Sequence, residues 1–224
     1  MTMKRRLAIV ILAVLASGLP AIAGQSHPKE SRDDMTLKMA LQNRKTTREF
    51  TGDSLPRPLI DEILWAAYGI THERDGIQMR TAPSAGATYP VGLLCAVRNV
   101  ESLPDGLYRL YSQSLEPIEK GNLADRIGDA VYGQDFVAKS NLIAFMVYHP
   151  EKIEPKYGDR ARDFALLECG HIGQNMLLMA SAQGLGSVPK GAFDKEKLAA
   201  ALELKPGDEV LYMICVGTIK KDNP

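Results

Sequence analysis

The chain has 224 residues, 45% of them hydrophobic, with 27 Lys and Arg against 27 Asp and Glu, so its formal net charge is zero. That balance excludes a strongly basic nucleic-acid binder and a protein drawn by charge to anionic membranes. The length suffices for one ordinary domain with its own core.

At the N-terminus, Lys4-Arg5-Arg6 precedes an uncharged run from Leu7 to Leu15 and then Ala21-Ile22-Ala23. A positive start, a short apolar centre and small residues at a cleavage point predict a secretory signal peptide over 1–23, leaving 24–224 as the mature domain, periplasmic or secreted. The apolar run falls short of the ~20 residues of a spanning helix, so no stable membrane insertion is expected after cleavage. No cysteine follows the cut, which argues against a lipoprotein, and Arg5-Arg6 permits twin-arginine as well as general export. Residues 24–33 read as a loose polar start, followed by a short helix over about 35–42.

Next comes Arg44-Lys45-Thr46-Thr47-Arg48-Glu49-Phe50, three cations and two hydroxyls in five positions, closed by an aromatic. Such side chains can converge on one anion; in isolation, a solvated charged loop is the simpler reading. A helix over 59–70 follows, with Pro58 in its first turn and Asp61 and Glu62 beside its positive end. It has a buried stripe of Ile60, Ile63, Leu64 and Ala67, and Gly69 marks its end. After a polar stretch, residues 80–90 read Arg-Thr-Ala-Pro-Ser-Ala-Gly-Ala-Thr-Tyr-Pro. Small residues, two prolines and a glycine make the backbone the working surface, able to set N–H groups against a flat or anionic ligand. Taken alone, an ordinary helix-to-strand connection is again the simpler reading.

Residues 93–100 and 107–111 read as strands joined across Pro104-Asp105-Gly106. A short helix over 122–132 turns Ile127 and Val131 inward, and 142–148 is a dense apolar strand. A long helix over 159–183 is capped by Asp159 and ended by Gly184. Its Phe164, Leu167, Ile172, Met176 and Met179 spread around the helix, which predicts burial on most sides and hence a subunit interface. Residues 184–194 read as a tight small-residue turn, 194–202 as a helix and 210–216 as a last strand before Lys220-Lys221. Cys95, Cys169 and Cys215 are far apart in apolar runs, which predicts buried thiols rather than disulfides. No CxxC or HExxH spacing is present, and Glu168 with His171 reads as a helix-packing pair rather than a metal site. Strands and helices do not alternate strictly, which favours an α+β layer fold, and no G-x-G-x-x-G supports a Rossmann site.

Four stretches in this order carry a resemblance. They are Arg44–Phe50, Leu64-Trp-Ala-Ala-Tyr-Gly-Ile70, Arg80–Pro90, and Lys156-Tyr-Gly-Asp-Arg160 leading through Leu166-Leu-Glu-Cys-Gly-His-Ile-Gly-Gln-Asn175 to Gly191-Ala-Phe-Asp194. The pattern resembles the FMN-dependent nitroreductase superfamily, and within it the SagB-type dehydrogenases related to azoline oxidases. The resemblance implies a dimeric nitroreductase-like fold, a mixed, mainly antiparallel central sheet flanked by helices, and FMN as cofactor. By the same resemblance Arg44, Thr46 and Arg48, with Lys45 beside them, hold the FMN phosphate and ribityl chain. Pro83, Ser84, Ala85 and Gly86 lie against the flavin from the neighbouring subunit, and Pro189, Lys190, Gly191 and Ala192 run along its ring. Backbone N–H groups there would stabilise charge on the reduced ring. Lys220 or Lys221 would close the phosphate site, and the long C-terminal arm of many relatives is expected to be missing. Lys156 and Tyr157 correspond to the Lys-Tyr pair that takes a proton while flavin takes hydride, a role suited to a lysine desolvated by burial. Outside the family, a polar loop leading into a helix is the simpler reading of that pair. Three functions follow as expectations. The first is an exported FMN oxidoreductase, passing hydride between an unidentified donor and acceptor. The others are an azoline-oxidase-like dehydrogenase of a peptide or cyclic amine, and a flavin-binding or partner-docking protein without turnover. The expected partners are a small-molecule or peptide substrate and a second copy of the chain, with no nucleic acid.

Overall fold

The structure is a computed structural model that describes residues 35–220. The signal peptide read over 1–23, the polar start at 24–33 and Lys221 lie outside the described residues. The elements run α1 (Leu37–Asn43), α2 (Arg57–Tyr68), β1 (Ile70–Arg74), β2 (Ile77–Arg80), β3 (Val91–Val97), β4 (Gly106–Tyr111) and β5 (Ser114–Lys120). There follow α3 (Ala124–Gly128), α4 (Asp135–Lys139), β6 (Leu142–Tyr148), α5 (Glu154–Tyr157), α6 (Ala161–Ala182), β7 (Gly186–Lys190), α7 (Lys195–Ala201) and β8 (Glu209–Gly217).

Strand β6 explains the layering, because every one of its residues is buried. A strand projects alternate side chains to opposite faces, so an unbroken apolar run needs cover on both. Leu142, Ala144, Met146 and Tyr148 enter one core, with α2 and α6; Ile143, Phe145 and Val147 enter the other, with α3, α4 and α7. The six-stranded sheet has the order β5-β4-β3-β6-β8-β7, and every pairing between these strands is antiparallel. Among the described residues, parallel pairing occurs only in isolated bridges, Thr46 with Ser187 and Leu55 with Val100. This is the expected α+β arrangement.

Several local expectations need correction. The polar stretch before residue 80 is a two-stranded hairpin, β1–β2, turned at Asp75-Gly76 with both φ angles positive; such a turn matches the twist of its strands. Residues 186–190 pair with β8 as a strand instead of a tight turn, because Val188 supplies an apolar face to the second core. Asp159 does not cap α6: a 3-10 turn over 158–160 feeds the helix, and Arg160 holds the cap position without a side-chain bond. Asp61 lies in the second turn of α2, where it pairs with Arg57 at 3.4 Å, and Glu62 accepts from Gln183 Nε2 at 2.7 Å. All three thiols are free and buried, as expected.

Phe50 ties the segment after α1 to the sheet. Its ring is buried, meets Phe136 edge-on at 6.4 Å between centroids, and lies over Gly186 and Gly217. A Cβ at either glycine would stand 2.9 Å from the ring, closer than carbon atoms pack. The two glycines therefore make the seat on which the aromatic rests.

Candidate functional site

The basic segment 44–48 leaves the end of α1 and runs alongside β7. Thr46 bridges Ser187, and the Thr47 amide donates to the Ser187 carbonyl at 2.9 Å. The antiparallel bridge between Phe50 and Ile219 brings Lys220 to the same end of the sheet. Arg44 is half-buried, while Lys45, Thr46, Arg48 and Lys220 are exposed. Lys190, at the end of β7, is only 6% exposed; its ammonium donates to Gln134 Oε1 at 2.8 Å and stands 5.7 Å from the Tyr132 ring centroid. Burial holds its pKa below the ordinary lysine value, and the nearby Arg48 charge pushes the same way. Among the described residues, none of Arg44, Lys45, Arg48, Lys190 and Lys220 takes part in a salt bridge. Cations without an ion-pair partner suit an anionic ligand, and a phosphate meets both the charge and the donor set of Arg, Lys and Thr. Gly191 and Ala192 are exposed beside Lys190 and add backbone with little side chain over it.

The second part of the site is the 83–86 loop. Gly86, Ala87 and Tyr89 all have positive φ, so the chain coils tightly between Pro83 and Pro90. Here Lys156 and Tyr157 of α5 meet the loop: Lys156 Nζ donates to the Gly86 carbonyl at 3.3 Å. A Cβ on Gly86 would stand 2.2 Å from Lys156 Nζ and 2.7 Å from the Tyr157 hydroxyl. The absent side chain of Gly86 is thus what lets the two polar tips reach the loop. Tyr157 is half-buried against Phe164, 4.8 Å between ring centroids. Lys156 is exposed, so the burial expected to desolvate it is not found within one chain; it stands on a four-residue helix, between the Gly86 carbonyl and the Tyr157 ring. The 44–48 segment and the 83–86 loop are held by different elements, the first by β7 and β8 and the second by α5 and α6.

Behind the loop lies a polar cluster that sequence reasoning missed. Glu168 of α6 is 2% exposed; the Tyr68 hydroxyl donates to its Oε1 at 2.7 Å, and Oε2 has no hydrogen bond of normal geometry. Burial pushes its pKa up, opposed by the Ser84 hydroxyl, the Tyr68 hydroxyl, the Val91 amide and the Arg80 charge. The Tyr68 hydroxyl is itself driven far above its ordinary value, first by burial and then by Glu168. Arg80 lies over the rings of Tyr68 and Tyr89, 4.5 and 5.2 Å from their centroids, and donates to the Tyr68 carbonyl at 2.9 Å. Ser84 Oγ accepts from the Tyr89 amide at 2.9 Å, and Asn175 Nδ2 donates to the Thr81 carbonyl at 3.5 Å. The signal was present: Glu168 falls on the buried stripe of Ala161, Ala165, Cys169 and Ile172. His171 is exposed, whereas Glu168 is buried and bonds Tyr68 instead. Elsewhere His149 Nδ1 meets Asp208 Oδ1 at 3.0 Å with Glu151 nearby, a grouping that spacing along the chain did not suggest.

Comparison with known proteins identifies the family and the fold. The family model described as the nitroreductase family matches residues 41–218. A protein of Methanocaldococcus jannaschii named as a nitroreductase is 33% identical over 175 residues, 77% of this chain and 87% of its own. The crystal structure of a nitroreductase from Ralstonia eutropha superposes with a TM-score of 0.72 at 27% identity, covering 86% of this chain and 87% of that one. A chain of the E. coli microcin synthetase McbBCD complex, with truncated pro-MccB17 bound, has a TM-score of 0.66 at 22% identity and covers 97% of this chain and 85% of its own. At that identity the likeness is one of fold.

Glu168 gives a stability test. Its folded-state pKa is raised, so its contribution is fully present below the ordinary carboxylate range and is lost as pH rises through the folded value. Glu168→Gln cannot ionise. It is expected to match or exceed wild-type denaturant stability at neutral pH, with the gap closing as pH falls below ~4, near the ordinary Glu pKa. Urea melts at several pH values check this; a gap that widens towards acid would mean the carboxylate is stabilising.

Proposed function

We propose, because the chain belongs to the nitroreductase family, that it is an exported FMN-dependent oxidoreductase working as a homodimer. The observation that carries the cofactor reading is the basic set of Arg44, Lys45, Arg48, Lys190 and Lys220 around Thr46 and β7, none of which makes a salt bridge among the described residues. In this reading Arg44 and Arg48 take the phosphate by paired N–H donors, with Thr46 adding a hydroxyl. Lys190, held between Tyr132 and Gln134, keeps a compact charge beside the exposed backbone of Gly191 and Ala192. When bound, FMN supplies hydride acceptance and return at N5 of its ring. The exposed backbone of Pro83 and Gly86 then serves a flavin held mainly by the partner's copy of the basic segment. What supports two chains per site is the separation of these parts, together with a helical face that exposes Leu166 and Leu167 of α6 and Trp65 of α2. In the single protomer α6 is therefore not buried all round, and its outer leucines are left for a partner.

Titrating the folded protein with FMN while following light scattering tests cofactor and dimer together. One FMN per chain in a dimer is expected, with Arg44→Ala weakening binding by ~1.5–3 kcal/mol, the range for a hydrogen bond to a charged group. No uptake, or a loaded monomer at micromolar concentration, refutes the reading.

For the chemistry, Lys156 and Tyr157 are the groups that hold a proton at the loop, with Lys156 Nζ on the Gly86 carbonyl. This arrangement favours the second reading, oxidation of a peptide or cyclic amine, in which the substrate must lose a proton as well as hydride. A plain nicotinamide-driven reductase is less suited to an exported protein, because reduced nicotinamide is a cytoplasmic reagent. If Lys156 is the base, Lys156→Ala keeps FMN bound and slows flavin reduction by an amine substrate ~10²–10⁴-fold. Rapid mixing measures that step directly, and an unchanged rate would make the pair structural. A protein that binds FMN but turns over no donor would instead be the docking module. Export is checked by cell fractionation: a mature form beginning near Gly24 is expected outside the cytoplasm, and an intact Met1 form confined to the cytosol overturns it.

A further inference from the structure

Where β6 and β8 run out of the sheet, three side chains of metal-ligand type meet. Tyr148 and Glu209 are the last cross-strand pair of these strands, so His149 and Asp208 follow as neighbours just beyond it. Both are held by backbone: the His149 amide donates to the Pro90 carbonyl at 2.8 Å, and the Asp208 amide closes a turn on the Lys205 carbonyl at 3.1 Å. A 3-10 turn over Pro150–Lys152 then brings Glu151 back to them, and the ligand atoms of His149, Glu151 and Asp208 lie within 4.8 Å of one another. The imidazole rests on Gly92, where a Cβ would stand 2.6 Å from Nε2, and Nδ1 is the nitrogen that faces Asp208.

The Asp208 carboxyl is nine-tenths buried, with a side-chain exposure of 10%. Among the described residues it makes no ion pair with Lys or Arg, whereas its neighbour Glu209 is taken by both Arg162 and Lys195. A buried charge is paired with an opposite charge or coordinates a metal. What faces Asp208 Oδ1 is His149 Nδ1 at 3.0 Å, and a neutral imidazole brings no charge. Two ligands ~2.1 Å from one ion and at right angles stand ~3.0 Å apart, whereas a tetrahedral pair would stand ~3.4 Å apart. We propose that His149, Glu151 and Asp208 bind a six-coordinate first-row divalent cation, such as Mn²⁺, at this corner of the sheet. The two carboxylates balance its charge, and the imidazole supplies a nitrogen that suits transition ions better than Mg²⁺ or Ca²⁺. Glu151 is exposed, so rotation of its side chain closes the site. The three residues line a cavity of about 690 Å³, which leaves room for water at the remaining positions. Lys152 and Lys205 line the same cavity but are exposed, and solvent screens their charge. The cation staples the end of β6 to the turn before β8. Through the His149 amide it also steadies Pro90, at the exit of the 80–90 loop.

The test is a titration of chelator-treated protein with Mn²⁺, followed through the loss of the free ion's electron paramagnetic resonance signal. One saturable Mn²⁺ per chain is expected, whether or not flavin is present. Asp208→Asn and His149→Ala are each expected to weaken it at least ~10–100-fold, the loss typical when even a supporting partner of a metal ligand is removed. Glu151→Gln, an exposed change that leaves the core alone, weakens binding in the same direction and carries the test should the other two fail to fold. Glu209→Gln breaks the neighbouring ion pairs and leaves the affinity unchanged. Zn²⁺ displaces bound Mn²⁺, following the order of divalent-metal affinities, and Mg²⁺ does so only in large excess. Saturating Mn²⁺ raises the melting temperature of the wild type but not of Asp208→Asn, since the ion binds the folded chain. Absence of saturable Mn²⁺ uptake at millimolar concentration overturns the proposal and leaves only a His149–Asp208 hydrogen bond. Binding that keeps wild-type strength in Asp208→Asn or in Glu151→Gln overturns it as well. Uptake of Zn²⁺ without Mn²⁺ overturns the six-coordinate assignment.

Discussion

One buried stripe anchors the helix on which much of this site leans. Ala161, Ala165, Cys169, Ile172, Met176 and Ala180 press α6 onto the sheet. Fully burying a side chain such as Ile172 or Met176 is worth about 1.5–3 kcal/mol, so a few of them rival the 5–15 kcal/mol net stability of a whole domain. The helix cannot shift without losing the core, and α1 and the loop lean on it while β7 and β8 hold the basic segment. Ser181, near its C-terminal end, donates to the Ala40 carbonyl and so steadies α1, from which the basic segment emerges. Glu168 stands behind the loop, and Lys156 and Tyr157 precede the first turn.

The site parts themselves carry little burial energy. Thr46, Arg48, Gly86 and Lys156 are exposed, and their places come from short-range devices: a bridge to Ser187, the Phe50 ring on two glycines, the Gly86 gap that admits Lys156. That division suits the proposed ligand binding, since weakly held surface can adjust while the core remains fixed. It also explains why like charges are tolerated at Arg48 and Lys190. Their mutual repulsion is a modest cost against the core, and the proposed phosphate would relieve it.

The polar interior follows the same economy. Asn141 is fully buried yet bonded throughout: its Nδ2 donates to the Asp53 carbonyl at 2.9 Å, and its Oδ1 accepts from the Thr218 amide at 3.0 Å. It therefore fastens the chain that follows Phe50 to the chain that leads to Lys220. Glu168 is less completely satisfied, and a buried polar group left short of partners is usually kept for something other than stability.

The sequence by itself determined the elements whose signal is local. The unbroken apolar run of β6, the stripe of α2 and the small-residue loop were all legible, because alternation and helical spacing report burial directly. So was the company of motifs that identified the nitroreductase pattern. Other features were decided by tertiary structure. Residues 186–190 look like a turn from their Gly, Ser and Pro, and become a strand because β8 offers an edge and the second core takes Val188. The outer leucines of α6 read as a buried surface, but within one chain they have nothing to cover them. The burial expected of Lys156 failed for a related reason: burial is a property of neighbours, and the loop supplies only one side. Glu168 and Tyr68 are 100 positions apart in sequence, and only the packing of α6 against α2 brings them together.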